Sequence, residues 1–99
     1  MASFKLHPVH PGEILHHEFL EPLKLSQRKL ALDLAVPPNR INAIVNGTRG
    51  ITGDTALRLS RYFGTTPQLW LNLQAEYELD KARLETGSDI ENIEPLVSA

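Results

Sequence analysis

Ninety-nine residues, 41% hydrophobic and 22% charged, suit one globular domain with a modest core and exclude wholesale disorder. There is no cysteine, which excludes disulfides and thiolate metal sites and fits an intracellular protein. The formal net charge of −2 would alone argue against nucleic acid, yet Lys24 to Gly64 hold seven basic and two acidic residues while Thr65 to Ala99 hold two basic and seven acidic, and phosphate binding rewards local cation density.

In chain order, Met1 to Val9 reads as an irregular lead-in without the apolar core of a secretory signal. The first helix is expected to open at Pro11, with Glu13 in its first turn and Ile14, Leu15 and Phe19 on one side. Pro22 should end it or kink it near Glu21. Ser26 suits the N-cap of a second helix that turns Leu30, Ala31 and Leu34 inward. At Pro37-Pro38 one helix stops and the next starts. The third runs to about Asn46, with Ile41, Ile44 and Val45 on one side and Asn39, Asn42, Ala43 and Asn46 on the other, and Gly47 closes it. Thr48-Arg49-Gly50 is a basic exposed loop. A fourth helix is capped by Thr52 and stopped by Gly64, and a fifth opens with Thr66 and Pro67 and thins toward Thr86-Gly87. Residues 1–87 thus form the domain and residues 88–99 an acidic tail. No alternating run of the strand type occurs, so the fold class is all-α, with five helices.

Two short amphipathic segments hinged at Ala35-Val36-Pro37 have the pattern of a helix-turn-helix, one helix bracing and one lying in the DNA major groove. Asn pairs bidentately with adenine and Arg with guanine, so Asn39, Arg40 and Asn42 are candidates for base edges, with Ala43 short enough for close approach. Gln27 at the start of the bracing helix is a candidate for phosphate, as are Asn46, Thr48 and Arg49 where the far backbone passes. The Trp70 segment carries apolar residues on more than one side, so Leu69, Trp70, Leu73 and Tyr77 either form a dimer interface or, in the case of Trp70, complete the core.

The histidines His7, His10, His16 and His17 do not assemble a metal site in this reading. Neighbours on a helix point about 100° apart, so His16 and His17 should not share one ion, and solvated histidines are expected. No nucleophile elbow or glycine-rich phosphate loop is present, so neither an enzyme nor a cofactor is expected. No apolar run approaches the ~20 residues of a membrane span, and the expected location is the cytoplasm.

The stretch HPGEILHHEFLEPLKLSQRKLA, followed by NRINAIVNGTRGITGDTALRLSRYFGTTPQLWLNLQ, resembles the HigA-family antitoxins. These are Xre-like helix-turn-helix regulators of lambda-repressor-like fold, and the likeness covers about residues 7–83. Leu69 stands where an aromatic is common in the family. The resemblance implies a homodimeric repressor that binds palindromic operator DNA and silences a cognate RelE-like, messenger-RNA-cleaving toxin. It also implies Gln27 and Asn46 on the DNA backbone and Asn39, Arg40 and Asn42 near bases. Pro37 and Pro38 depart from the pattern where a polar cap is usual, which leaves Pro38 only van der Waals contact with DNA. A toxin could dock on the strip His7–Phe19 or on the acidic run Glu76 to Glu94. A solitary regulator without a toxin, and a protein-interaction module using the fold as scaffold, remain open alternatives.

Overall fold

The computed structural model describes residues 7–97. Five helices and no strand occur among them: α1 (residues 11–23), α2 (Gln27–Leu34), α3 (Pro38–Val45), α4 (Gly53–Phe63) and α5 (Pro67–Glu91). Most of the lead-in, Met1 to Leu6, and the last two residues of the tail lie outside the described residues.

α1 is continuous but changes register, being α-helical over Pro11–Ile14, π-helical over Leu15–Leu20 and α-helical again over Glu21–Leu23. The helix ends at Leu23, one residue past Pro22, after this change of register. Proline has no N–H to give the carbonyl four residues back. In the wider register the Glu21 N–H reaches back five residues to the His16 carbonyl, and the helix carries through Pro22. Lys24, left-handed at φ 53°, ends it.

The expected caps form. Ser26 Oγ accepts from Lys29 N–H at 3.0 Å, Thr52 Oγ1 from Thr55 N–H at 3.4 Å and Thr66 Oγ1 from Leu69 N–H at 3.2 Å. Gly47 and Gly64 take φ of 80° and 75°, which their lack of a Cβ permits. His10, expected to be solvated, is instead 6% exposed and caps α1. Its Nδ1 accepts from Gly12 N–H at 2.9 Å, and Glu13 Oε2 accepts from His10 N–H at 3.1 Å, a reciprocal capping box. Burial lowers the His10 pKa, opposed by the charge of Glu13 and a hydrogen bond to the Arg49 backbone.

The core comprises Leu15, Leu20, Leu30, Ala31, Leu34, Val36, Ile41, Ile44, Ile51, Ala56, Leu59 and Trp70. Phe19 and Phe63 pack on Trp70 with ring centroids 5.0 and 6.4 Å away. α1 crosses α3 so closely that a Cβ on Gly12 would lie 1.8 Å from the Ile44 carbonyl oxygen, so only glycine fits there. α5 runs through Gly87 to Glu91, beyond the expected end at Thr86-Gly87 and across the proposed boundary of the tail. Its second half exposes Leu79, Leu84 and Ile90, and the molecule measures 51 × 26 × 24 Å. No helix among the described residues is long and apolar enough to cross a membrane.

Candidate nucleic-acid interface

α2 and α3 pack against each other through Leu30, Ala31, Leu34, Ile41 and Ile44, each at most 5% exposed. Between them Ala35 adopts φ 59°, ψ 46°, the left-handed turn that redirects the chain. Val36 is buried beneath the turn and Pro37 is extended, so α3 starts with Pro38 in its first position. Both helices have eight residues, too few to persist alone in water. Tertiary contacts therefore fix their angle.

α4 supplies several of those contacts. Arg58 Nη1 donates to the Leu34 carbonyl at 2.8 Å, closing the end of α2. Tyr62 OH donates to Asp33 Oδ2 at 2.6 Å, and Lys29 Nζ meets Asp33 Oδ1 at 2.9 Å. The Tyr62 and Lys29 hydrogen bonds hold the Asp33 carboxyl below the usual carboxylate range. At the other end of α3, His10 sits beneath Gly47, and its ring meets Tyr77 of α5 edge-on at 4.8 Å. Beyond the loop, Ile51 N–H donates to Gln74 Oε1 of α5 at 2.7 Å.

On this frame Asn39, Asn42 and Asn46 are exposed along one side of α3, opposite Ile41 and Ile44, and Pro38 is exposed at its start. Ala43 and Gln27, the first residue of α2, are half-buried, and Arg49 is exposed. The asparagine side chains of α3 offer paired donors and acceptors suited to base edges.

Two expected contacts are engaged elsewhere. Arg40 turns toward α4, where its Nη1 meets Asp54 Oδ2 at 2.7 Å while its Nε is buried without a partner among the described residues. Asp54 also receives Arg58 Nε at 3.0 Å, and the two guanidiniums, Arg58 first, hold its carboxyl below the usual range. In this position Arg40 is held to α4 by Asp54. Thr48 donates its hydroxyl to the Ala43 carbonyl at 3.2 Å, and its N–H goes to the same oxygen at 2.9 Å. The expected phosphate donor is thus the C-terminal cap of α3. Lys24, Arg28, Arg49 and Arg61 make no ion pair among the described residues and supply the uncompensated positive charge.

For Trp70 the core alternative holds. Trp70 is wholly buried in its own chain and donates Nε1–H to Thr65 Oγ1 at 2.9 Å, which removes it from any surface. Leu73 packs on the core and Tyr77 on His10, both half-buried, and Leu69 is 37% exposed, so these three keep accessible surface. Sequence reasoning missed Asp54, Gln74 and the capping role of His10. The spacing of His10, Pro11 and Glu13 was the available signal for the last of these.

A family model described as Helix-turn-helix matches residues 17–70. Virulence-associated protein I of Dichelobacter nodosus is 55% identical over 80 residues, which are 81% of this chain and 74% of that protein. Antitoxin HigA-1 of Vibrio cholerae is 33% identical over 96 residues, 97% of this chain and 90% of that one. Among solved structures, the Pseudomonas aeruginosa antitoxin HigA with the higBA promoter is 48% identical, covers 92% of this chain and 100% of its own, and superposes with a TM-score of 0.87. The matched segment spans α2 through α4, and the full-length likeness takes in α1 and α5, so the chain belongs to the HigA family of Xre-like helix-turn-helix proteins.

Proposed function

We propose that this chain is a homodimeric DNA-binding antitoxin that represses its own operon and neutralises a RelE-like, messenger-RNA-cleaving toxin. The observation that carries the DNA reading is the two-sidedness of α3. Ile41 and Ile44 are wholly buried, while Asn39, Asn42 and Asn46 face outward. The Pseudomonas relative, solved with the higBA promoter and 48% identical, supports it. Two copies of α3 would then enter successive major grooves, ~34–36 Å apart for half-sites one turn apart. Asn39 and Asn42 read bases in this scheme, with Ala43 close beside them. Gln27, Asn46 and Arg49 bind backbone, and Pro38 makes apolar contact. Dimerisation draws on the exposed apolar residues of α5, Leu69 among them. The toxin is assigned to the acidic outer side of α5, from Glu76 onward, because a ribonuclease that binds RNA carries complementary charge.

Gel shift on the chain's own upstream DNA tests the DNA reading. Asn39→Ala should lose preference for that DNA over a scrambled duplex by about 1–3 kcal/mol, whereas Arg49→Ala should weaken both alike and flatten the salt slope. Equal losses on both duplexes for both variants would overturn the division of roles. Co-purification with the product of the adjoining reading frame, and inhibition of that protein's RNA cleavage, tests the antitoxin role. A repressor that shifts DNA but leaves such a nuclease active is a solitary regulator.

A further inference from the structure

The π-helical turn of α1 does something that neither DNA binding nor the fold requires. In an α-helix, at ~100° per residue, positions 16 and 21 would lie about 140° apart. In the wider register they share a side, and Glu21 is met by two imidazoles at once. His17 Nδ1 lies 3.1 Å from Glu21 Oε1, and His16 Nε2 lies 3.4 Å from Glu21 Oε2. One nitrogen from each histidine and one carboxylate oxygen all lie within 4.8 Å of one another. The expectation that His16 and His17 diverge is therefore corrected, the rings meeting edge-on at 4.9 Å.

The geometry points to a divalent transition-metal site made by His16 Nε2, His17 Nδ1 and Glu21, completed by water. Bonds of about 2.0–2.1 Å to a tetrahedral ion set ligand atoms roughly 3.3 Å apart. The two imidazole nitrogens lie 3.1 and 3.4 Å from the two oxygens of the one carboxylate, and small side-chain rotations bring one oxygen and both nitrogens, already within 4.8 Å of one another, to that spacing. His16 Nδ1 is buried without a hydrogen-bond partner among the described residues, and its Nε2 is the nitrogen that meets Glu21. Two imidazoles with one carboxylate select zinc, nickel or copper over magnesium or calcium, which prefer all-oxygen shells. Two of the ligands, His16 and Glu21, line an open cleft of about 360 Å³ with Lys24 and Gln27, and His17 is exposed beside them, so water has room to fill the remaining positions.

The test uses the full chain freed of metal by chelator. Zinc chloride is titrated by calorimetry, with magnesium chloride as control and thermal unfolding as a second readout. One equivalent of zinc should bind with micromolar affinity and raise the melting temperature, and magnesium should do neither. His16→Ala and Glu21→Gln should each weaken zinc binding about tenfold or more, since even loss of a supporting outer partner costs that much. Glu21 is exposed and His16 half-buried, neither in the core, so the variants should fold, and Glu21→Gln keeps a hydrogen-bonding oxygen for His17. Absence of saturable zinc binding at millimolar concentration would overturn the proposal and leave the cluster an ion pair. Zinc binding unchanged in both variants would overturn it equally, placing the ion on other histidines.

Discussion

Gly12→Ala is the sharpest test of how α3 is held. The added methyl would stand 1.8 Å from the Ile44 carbonyl oxygen and 2.7 Å from its carbon. Ordinary C···O contact lies near ~3.4 Å, so α1 and α3 must part by about 1.6 Å along that line. The obstacle is backbone, and the same oxygen accepts Gly47 N–H at 3.0 Å, so it cannot swing aside as a side chain would. Overpacking of this kind costs about 3 kcal/mol at the upper end of its usual range. Alanine recovers about 0.5–1 kcal/mol of helix propensity, leaving a net loss of about 2 kcal/mol, or roughly 8–16 °C in melting temperature for a domain this size. Urea and thermal unfolding followed by circular dichroism measure it. Gly87→Ala is the internal control: nothing lies within 4 Å of its added Cβ, and the residue is inside α5, so it should gain up to about 1 kcal/mol. Gly12→Ala within about 0.5 kcal/mol of the parent would refute the close crossing.

Three further outcomes are expected. His10 has a folded pKa pushed below the ordinary ~6.5 of imidazole by burial, so the unfolded chain binds the proton more readily and stability falls as pH drops from ~6.5 through the folded value. His10→Asn keeps a cap without the titration, and stability measured between pH 7 and ~5 should lose that slope; an unchanged slope counts against His10 as its source. Ala35→Gly relieves the left-handed strain of the hinge and should stabilise by about 0.5–1 kcal/mol in urea unfolding, whereas a loss would mean that the turn is not strained. Asp54→Asn removes the carboxylate that pairs Arg40 and Arg58, while Arg58 keeps its bond to the Leu34 carbonyl. Non-specific DNA affinity should rise, and the slope of log affinity against log salt should steepen by about 1, while an unaltered slope would show that neither arginine reaches phosphate.

What the sequence disclosed and what it concealed divide along the range of the interaction. Caps by Ser26, Thr52 and Thr66 and stops at Gly47 and Gly64 depend on a few neighbouring backbone atoms, and the two-sided patterns of α2 and α3 depend on helical period alone, so all were legible. The π-turn was not, because Pro22 reads as a break unless the backbone is seen to shift register around it. That one shift also hid the meeting of His16 and His17 on Glu21. Trp70 illustrates a second kind of concealment. Periodicity gives α5 apolar residues on several sides, but only the positions of Phe19 and Phe63 show which of these α5 buries in its own chain. Arg40 is the third kind, since its partner Asp54 is fourteen residues away on another helix.

Eight residues of α3 cannot hold a helix in solution, so the face it presents is set by what grips its other sides. Those grips come from three different helices. Asp54 of α4 takes Arg40 near the start. Gly12 of α1 admits Ile44 near the end. His10 lies beneath Gly47, and Gln74 of α5 ties the loop that follows at Ile51. None of these residues is on the outward face that carries Asn39 and Asn42, yet each fixes the tilt or register with which that face meets a groove. Base discrimination depends on bidentate geometry that tolerates little displacement. Substitutions at Gly12 or Gln74 should therefore lower selectivity between cognate and scrambled DNA more than they lower binding to the scrambled duplex, which needs only the positive surface. If both affinities fell in parallel instead, the outward face of α3 would be acting as a charged surface and not as a reader of bases.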